Sequence, residues 1–273
     1  MKELYGIIIA ALALSAGGAF AQAKTEVLWL GQSAVRITSP GGKVIVLDPY
    51  LSKNPKTPDA WKNLAALGKV DLVLVTHAHG DHLGDAVAIV KANNAPLWAS
   101  QGLAASLAAL GELPGNLSNR MGQGGSITPF GANGVKIIMT HAEHNSELAW
   151  ENPATKKVEV HFGGEPCGFI VQMENGVKIY HMGDTGLFGD MKFIGDYYKP
   201  DIVLVPIGGG QFVMDPVDAA YAVREWLKPR YAIPMHYGTT PALKGTPKEF
   251  IDALGSGTST RVIVMNPGDK IDF

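Results

Sequence analysis

The sequence predicts an α/β protein made of two stacked βα halves with helices on their outer faces. Three observations lead there. Short β-branched apolar runs alternate with helical stretches, strands first and helices between, and the order repeats from about Gly131. Glycine is abundant, at 33 residues, which suits a protein rich in turns. Four apolar runs each end in a loop with candidate metal ligands: His77 to His82, His141 with His144, Asp184, and His236. Strand-end loops along one sheet edge are where a rigid scaffold presents functional groups.

Composition narrows the class. With 273 residues, the chain can form one large domain or two halves sharing a core. A formal net charge of −2 and no long basic run give no electrostatic reason to expect nucleic acid as a partner. Cys167 is the only cysteine, so an intrachain disulfide and a cysteine-based zinc site are both excluded. Its apolar neighbours Phe169 to Val171 predict a buried thiol.

The first residues read as a separate unit. Lys2, the apolar stretch Leu4–Leu14 and Ala21-Gln22-Ala23 are the three parts of a secretory signal peptide. Residues 1–23 are therefore expected to be cleaved, leaving residues 24–273 as the working domain, exported to a bacterial periplasm. The segment is at the short end for a membrane span, so no stable span is expected after cleavage.

After the leader, Glu26–Leu30, Ala34–Thr38 and Lys43–Leu47 alternate as strands of an antiparallel meander, with Ser39-Pro40-Gly41-Gly42 as a turn. Asp48-Pro49-Tyr50 closes the third strand, and Asp59 is placed to cap a helix through Leu67. Asp71–Val75 is a buried strand. A helix follows from about Asp85 to Asn93, a strand over 95–99 and a small-residue helix over 102–110, while Leu113–Ser126 reads as loop. In the second half, strands are expected over 135–139, 158–162, 168–173, 177–180, 202–205, 231–235 and 261–265. Asn175-Gly176 marks a hairpin turn, and helices begin near Asp215-Pro216 and at Pro247.

The stretch Thr76-His77-Ala78-His79-Gly80-Asp81-His82 carries the chemistry. Side chains two apart in an extended segment point the same way, so His77 and His79 can grip one ion. Beyond the turn at Gly80, Asp81 and His82 are free to face a second. Neutral imidazole and carboxylate suit Zn²⁺, and also Mn²⁺ or Fe²⁺. His141 and His144 compete for one further ligand position. His181 reads as a core or supporting histidine, and His161 as structural or exposed. Gly208-Gly209-Gly210 reads as a tight turn before the helix at Asp215, although bare N–H groups beside a helix start also suit an anion.

With later His, Asp and His at strand ends, the His77-x-His79-x-Asp81-His82 motif resembles the metallo-β-lactamase superfamily. Ala142-Glu143-His144, Gly183-Asp184-Thr185-Gly186, Pro206-Ile207-Gly208-Gly209 and Pro234-Met235-His236-Tyr237-Gly238-Thr239 resemble its metal-dependent hydrolase family, akin to ascorbate-6-phosphate lactonase and N-acyl-phosphatidylethanolamine phospholipase D. The likeness covers nearly all of residues 24–273. It implies a four-layer αββα sandwich with a two-metal site at one edge. One ion would be held by His77, His79 and His144, the other by Asp81, His82 and His236, with Asp184 bridging both. A hydroxide between two divalent ions, Zn²⁺ first among them, would cleave an ester, lactone or phosphodiester bond of a small-molecule substrate. Asp184 and Asp81 would serve in catalysis, Asp81 by handling protons. The alternatives are a β-lactamase-like amide hydrolase and a non-catalytic metal-binding or redox protein of the same fold. A homo-oligomer is compatible with all of these readings.

Overall fold

The computed structural model describes residues 24–273; the expected signal peptide, 1–23, lies outside them. Glu26–Gly31 (β1), Ala34–Thr38 (β2) and Val44–Leu47 (β3) form the antiparallel meander. From β3 onward the pairing turns parallel, through Leu72–Leu74 (β4), Leu97–Ser100 (β5) and Ser118–Met121 (β6). β3 and β4 are buried along their whole length, because parallel strands with both faces covered read as unbroken apolar runs.

The second sheet starts with Ser126–Ile127 (β7) and Lys136–His141 (β8). A separate hairpin follows, Glu147–Glu151 (β9) with Val158–Phe162 (β10). The sheet continues through Cys167–Gln172 (β11), Lys178–His181 (β12), Ile202–Pro206 (β13), Tyr231–Met235 (β14) and Arg261–Val262 (β15). Its strand order is β15-β14-β13-β12-β11-β8-β7. The last strand, Lys270–Asp272 (β16), crosses back to pair with β1 and completes the first sheet.

Alternation along the strands sorts the side chains into three cores. Val27, Val35, Ile45, Leu47, Leu72 and Leu74 face Ile137, Met139, Phe169, Val171, Leu204 and Ile233 between the sheets. On the outside of the first sheet, Leu28, Val46, Val73 and Leu97 meet Ile89, Val90, Leu103 and Leu107 of helices Ala86–Asn93 and Gln101–Ala109. Outside the second, Ile170, Tyr180, Val203 and Val205 meet Ala219, Val223, Phe250 and Leu254. These belong to the helix starting at Pro216, capped by Asp215 through Val217 and Asp218 N–H, and to Pro247–Leu254, which opens with a capping box between Thr246 and Glu249. Helix, sheet, sheet, helix is the expected αββα order.

Several expectations need correction. The stretch 59–67 is not one helix capped by Asp59: a turn over Asp59–Lys62 stops at Asn63, whose side chain accepts from Ala65 N–H and starts a 3₁₀ turn over Leu64–Leu67. The expected loop 113–126 contains β6, whose Ser118-Asn119-Arg120 lack apolar alternation and are extended because they pair with β5. β9 was hidden for the same reason, because Leu148-Ala149-Trp150 between Glu147 and Glu151 shows no apolar–polar alternation. The strand expected over 261–265 ends at Val262, and the helical stretch over Asp190–Tyr198 is an addition. No helix among the described residues is long and apolar enough to cross a membrane.

Candidate metal centre

Strand direction assembles the site. β1 opposes β2, β2 opposes β3, and β3 and β4 are parallel, so β1, β3 and β4 end on the same edge. β12, β13 and β14 are parallel, and β8 shares their direction because β11 opposes both β8 and β12. The two edges are stitched together where His236 N–H donates to the Gln32 carbonyl at 3.1 Å and Cys167 N–H to the Thr76 carbonyl at 3.0 Å. His181 Nε2 donates to the Ser33 carbonyl at 2.8 Å. His181 is thus a fully buried supporting histidine, and its burial lowers its pKa.

The seven expected ligands converge in two groups. His77, His79 and His144 form one, and Asp81, His82, Asp184 and His236 the other; within each, the candidate ligand atoms lie within 4.8 Å of one another. The turn at Gly80 does what the spacing implies, since His79 precedes a helical turn, Gly80–Leu83, that swings Asp81 and His82 into the second group. Asp184 lies between the groups, with Oδ2 2.9 Å from His236 Nε2 and 3.7 Å from His144 Nε2.

Hydrogen bonds select the tautomers of His77 and His79 in the first group. The Thr76 hydroxyl gives its hydrogen to Asp48 Oδ2 at 2.7 Å, so at 3.1 Å it accepts from His77 Nδ1–H. His79 Nε2–H donates to Glu147 Oε2 at 3.3 Å. His77 Nε2 and His79 Nδ1 are then bare lone pairs, 3.0 Å apart. Burial holds His77 well below the usual imidazole range, with the charge on His82 adding to the effect, and burial lowers His144 as well. Neutral His77 and His144 offer lone pairs to a cation, and His79 Nδ1 faces His77 Nε2 across the same space.

The second group is charged. Burial opposes ionisation of Asp184, yet His236 and His82 outweigh it and hold the carboxyl well below its usual range. Burial likewise opposes a charge on His82, but Asp184, Asp48 and Asp81 raise its pKa well above normal. His236 is raised too, by Asp184 against its burial. His82 Nε2 and Asp184 Oδ1 face each other at 3.2 Å, and both are buried without an aligned hydrogen bond. Each such orphan costs about 1–3 kcal/mol. A divalent cation at this point would satisfy both atoms, so the donor set fits a metal in each group.

Two residues of this site were not found by reading the sequence. Asp48 is fully buried and accepts from Thr76 N–H at 2.8 Å and from His82 Nδ1–H at 2.8 Å, besides the Thr76 hydroxyl. It orients His82 as a carboxylate commonly orients a ligating imidazole. Gln32 places its side-chain nitrogen 2.8 Å from Asp81 Oδ2 and 2.7 Å from His236 Nε2. The only local sign of either is a polar residue directly after an apolar strand. His141 stands apart: it is half exposed, with Phe188 edge-on at 5.0 Å and Gln123 and Glu143 at its ring nitrogens. His161 pairs with Glu159 on the hairpin, away from both groups. Gly208 packs so close under His236 that a Cβ there would lie 2.2 Å from the His236 carbonyl, and Gly209 and Gly210 follow at φ of 68° and 70°, the backbone of a tight turn.

The comparisons with known proteins agree with this geometry. A family model described as a β-lactamase superfamily domain matches residues 43–237. A UPF0173 metal-dependent hydrolase from Cupriavidus metallidurans is 60% identical over 256 residues, covering 94% of this chain and 88% of its own. Another from a Polaromonas species is 54% identical over 277 residues and covers both chains completely. Among solved structures, Igni18, a metallo hydrolase from the archaeon Ignicoccus hospitalis, superposes with a TM-score of 0.74 at 33% identity, covering 92% of this chain and 98% of its own. The chain therefore belongs to the UPF0173 family of metal-dependent hydrolases within the metallo-β-lactamase superfamily.

Proposed function

We propose that the chain is a binuclear hydrolase that cleaves an ester, lactone or phosphodiester bond in a small molecule. The observation that carries this is the convergence of seven side chains into two adjoining groups with Asp184 within reach of both. In this reading His77, His79 and His144 hold one ion, Asp81, His82 and His236 the other, and Asp184 both. Zn²⁺ suits the three-imidazole group best, with Mn²⁺ and Fe²⁺ served by the same donors. Two such ions, when bound, supply hydroxide near neutral pH and polarise the oxygen of the attacked group.

The chain's own residues orient and bind. Asp81 is the most open of the four groups on its side, with 38% of its side chain exposed, and is placed to accept or return a proton on the substrate side. Beside His144 lies a cavity of about 320 Å³ lined by Glu143, Asn145, Gly186, Gln211 and Phe212, mostly polar and able to hold a small polar substrate.

The test is a panel of aryl esters, lactones, phosphodiesters and a β-lactam given to the Zn²⁺-loaded protein and to Asp184→Ala. Turnover of one of the first three classes, lost in the variant while its circular dichroism stays native, is expected. Equal turnover by the variant would overturn the reading. We also propose export with removal of residues 1–23, supported by the basic, apolar and Ala-x-Ala pattern at the start of the chain. Mass spectrometry of the protein from its native cell should find Lys24 as the first residue; an intact Met1 would refute export with cleavage.

A further inference from the structure

We infer that Gln32 is a positioning residue of the metal centre, its side-chain amide holding Asp81 and its backbone carbonyl holding His236 for the cation of the four-residue group. This rests on the binuclear reading above. The residue lies in the turn between β1 and β2 at a φ of 51°, unusual for a side chain larger than glycine. Its backbone is pinned from both sheets, the carbonyl accepting Trp29 Nε1–H at 3.0 Å and His236 N–H at 3.1 Å.

The side chain is buried, and its Nε2 lies 2.8 Å from Asp81 Oδ2 and 2.7 Å from His236 Nε2. Nitrogen rather than oxygen belongs there, because Oε1 in that place would oppose a carboxylate oxygen. The assignment leaves Oε1 buried without a donor, an arrangement that is costly unless the N–H side does something in return.

What it does follows from its neighbours. Asp48 backs His82, Thr76 backs His77 and Glu147 backs His79, each from the side away from the cluster. Gln32 makes the short side-chain hydrogen bond to Asp81, at 2.8 Å, while His236 Nε2 stands 3.5 Å from the same oxygen. Asp81 is also the most exposed of its group and so the freest to turn away from the cation. Donation to Oδ2 leaves Oδ1 as its free oxygen and fixes the plane of the carboxylate. Its carbonyl meanwhile holds the backbone of His236 through the N–H bond at 3.1 Å.

The test uses the full chain and two variants of nearly unchanged shape, Gln32→Leu and Gln32→Glu, neither of which can donate. Metal content of the parent comes first: fewer than two equivalents would overturn the binuclear reading and this inference with it. Given two, both variants should hold one ion 10–100-fold more weakly in chelator competition and the other as before. Under Co²⁺ substitution, the absorption of one ion should change and that of the other persist, with the metal-free melting point close to the parent's. Undiminished affinity for both ions would refute the inference while leaving the binuclear reading intact. Tighter binding in Gln32→Glu would also refute it, by making the terminal atom a ligand. Equal weakening of both ions with a lower melting point would reduce Gln32 to a general structural role.

Discussion

Replacing Asp48 with Asn tests how far the metal centre depends on a residue that touches no candidate ion position. The carboxylate is fully buried and accepts three hydrogen bonds, from Thr76 N–H, the Thr76 hydroxyl and His82 Nδ1–H. Asparagine can keep the first through its carbonyl, but its NH₂ then meets two donors. The hydroxyl can accept from that NH₂ as well as from His77 Nδ1–H, but its own hydrogen then loses its acceptor. At least His82 Nδ1–H loses its acceptor, at about 1–3 kcal/mol for a buried donor, and the charge that strengthened these bonds is gone. A total near 2–4 kcal/mol should lower the melting point of the metal-free protein by about 5–15 °C in scanning calorimetry. Metal retention by the second group should fall 10–100-fold in chelator competition. An unchanged melting point together with unchanged retention would refute the claim that Asp48 holds His82 for the cation.

Other predictions concern charge, reactivity and packing. Burial opposes the raised pKa values of His82 and His236, and Asp184 produces them; metal uptake must therefore displace protons from these rings. Uptake by this group should strengthen as pH rises through neutrality and release protons in calorimetry across buffers of different ionisation enthalpy; pH-independent uptake would contradict it. Burial pushes the Cys167 thiol well above its usual pKa, with Asp48 adding to the shift, so a thiol reagent at pH 8 should modify the protein only after denaturation. Labelling of the folded chain would show that the edge opens. A Cβ on Gly163 would lie 1.9 Å from the Ser146 carbonyl and 2.5 Å from Ala78 Cβ, next to the His77–His82 loop. Gly163→Ala should cost about 3 kcal/mol in denaturant unfolding, while Gly115→Ala, with open space around it, should not.

The centre was legible in the sequence where several polar residues crowd the end of one apolar strand. His77 to His82 could be read that way, and Asp184 and His236 stood out because β12 and β14 are unmistakably buried. The meander, the helices over 86–93, 101–109, 216–227 and 247–254, and the strands of the second sheet from β8 onward followed from apolar spacing. Gln32 and Asp48 escaped because each is a lone polar residue in a turn, made functional by the pairing of β1, β2 and β3 rather than by local pattern. Their backbones are unusual, with φ of 51° and 44°, and no local rule predicts that for Gln or Asp. β6 and β9 were invisible for another reason: their partners, not their own side chains, make them extended.

The choice between His141 and His144 bears most directly on the central claim. The structure puts His144 beside His77, His79 and Asp184, and leaves His141 half exposed against Phe188. Elemental mass spectrometry of the purified chain, beside His144→Ala and His141→Ala, measures the consequence. The account predicts two metal equivalents in the parent and in His141→Ala, and a loss in His144→Ala alone. A loss in the His141 variant with none in the His144 variant, or no tightly bound metal after reconstitution, would contradict it.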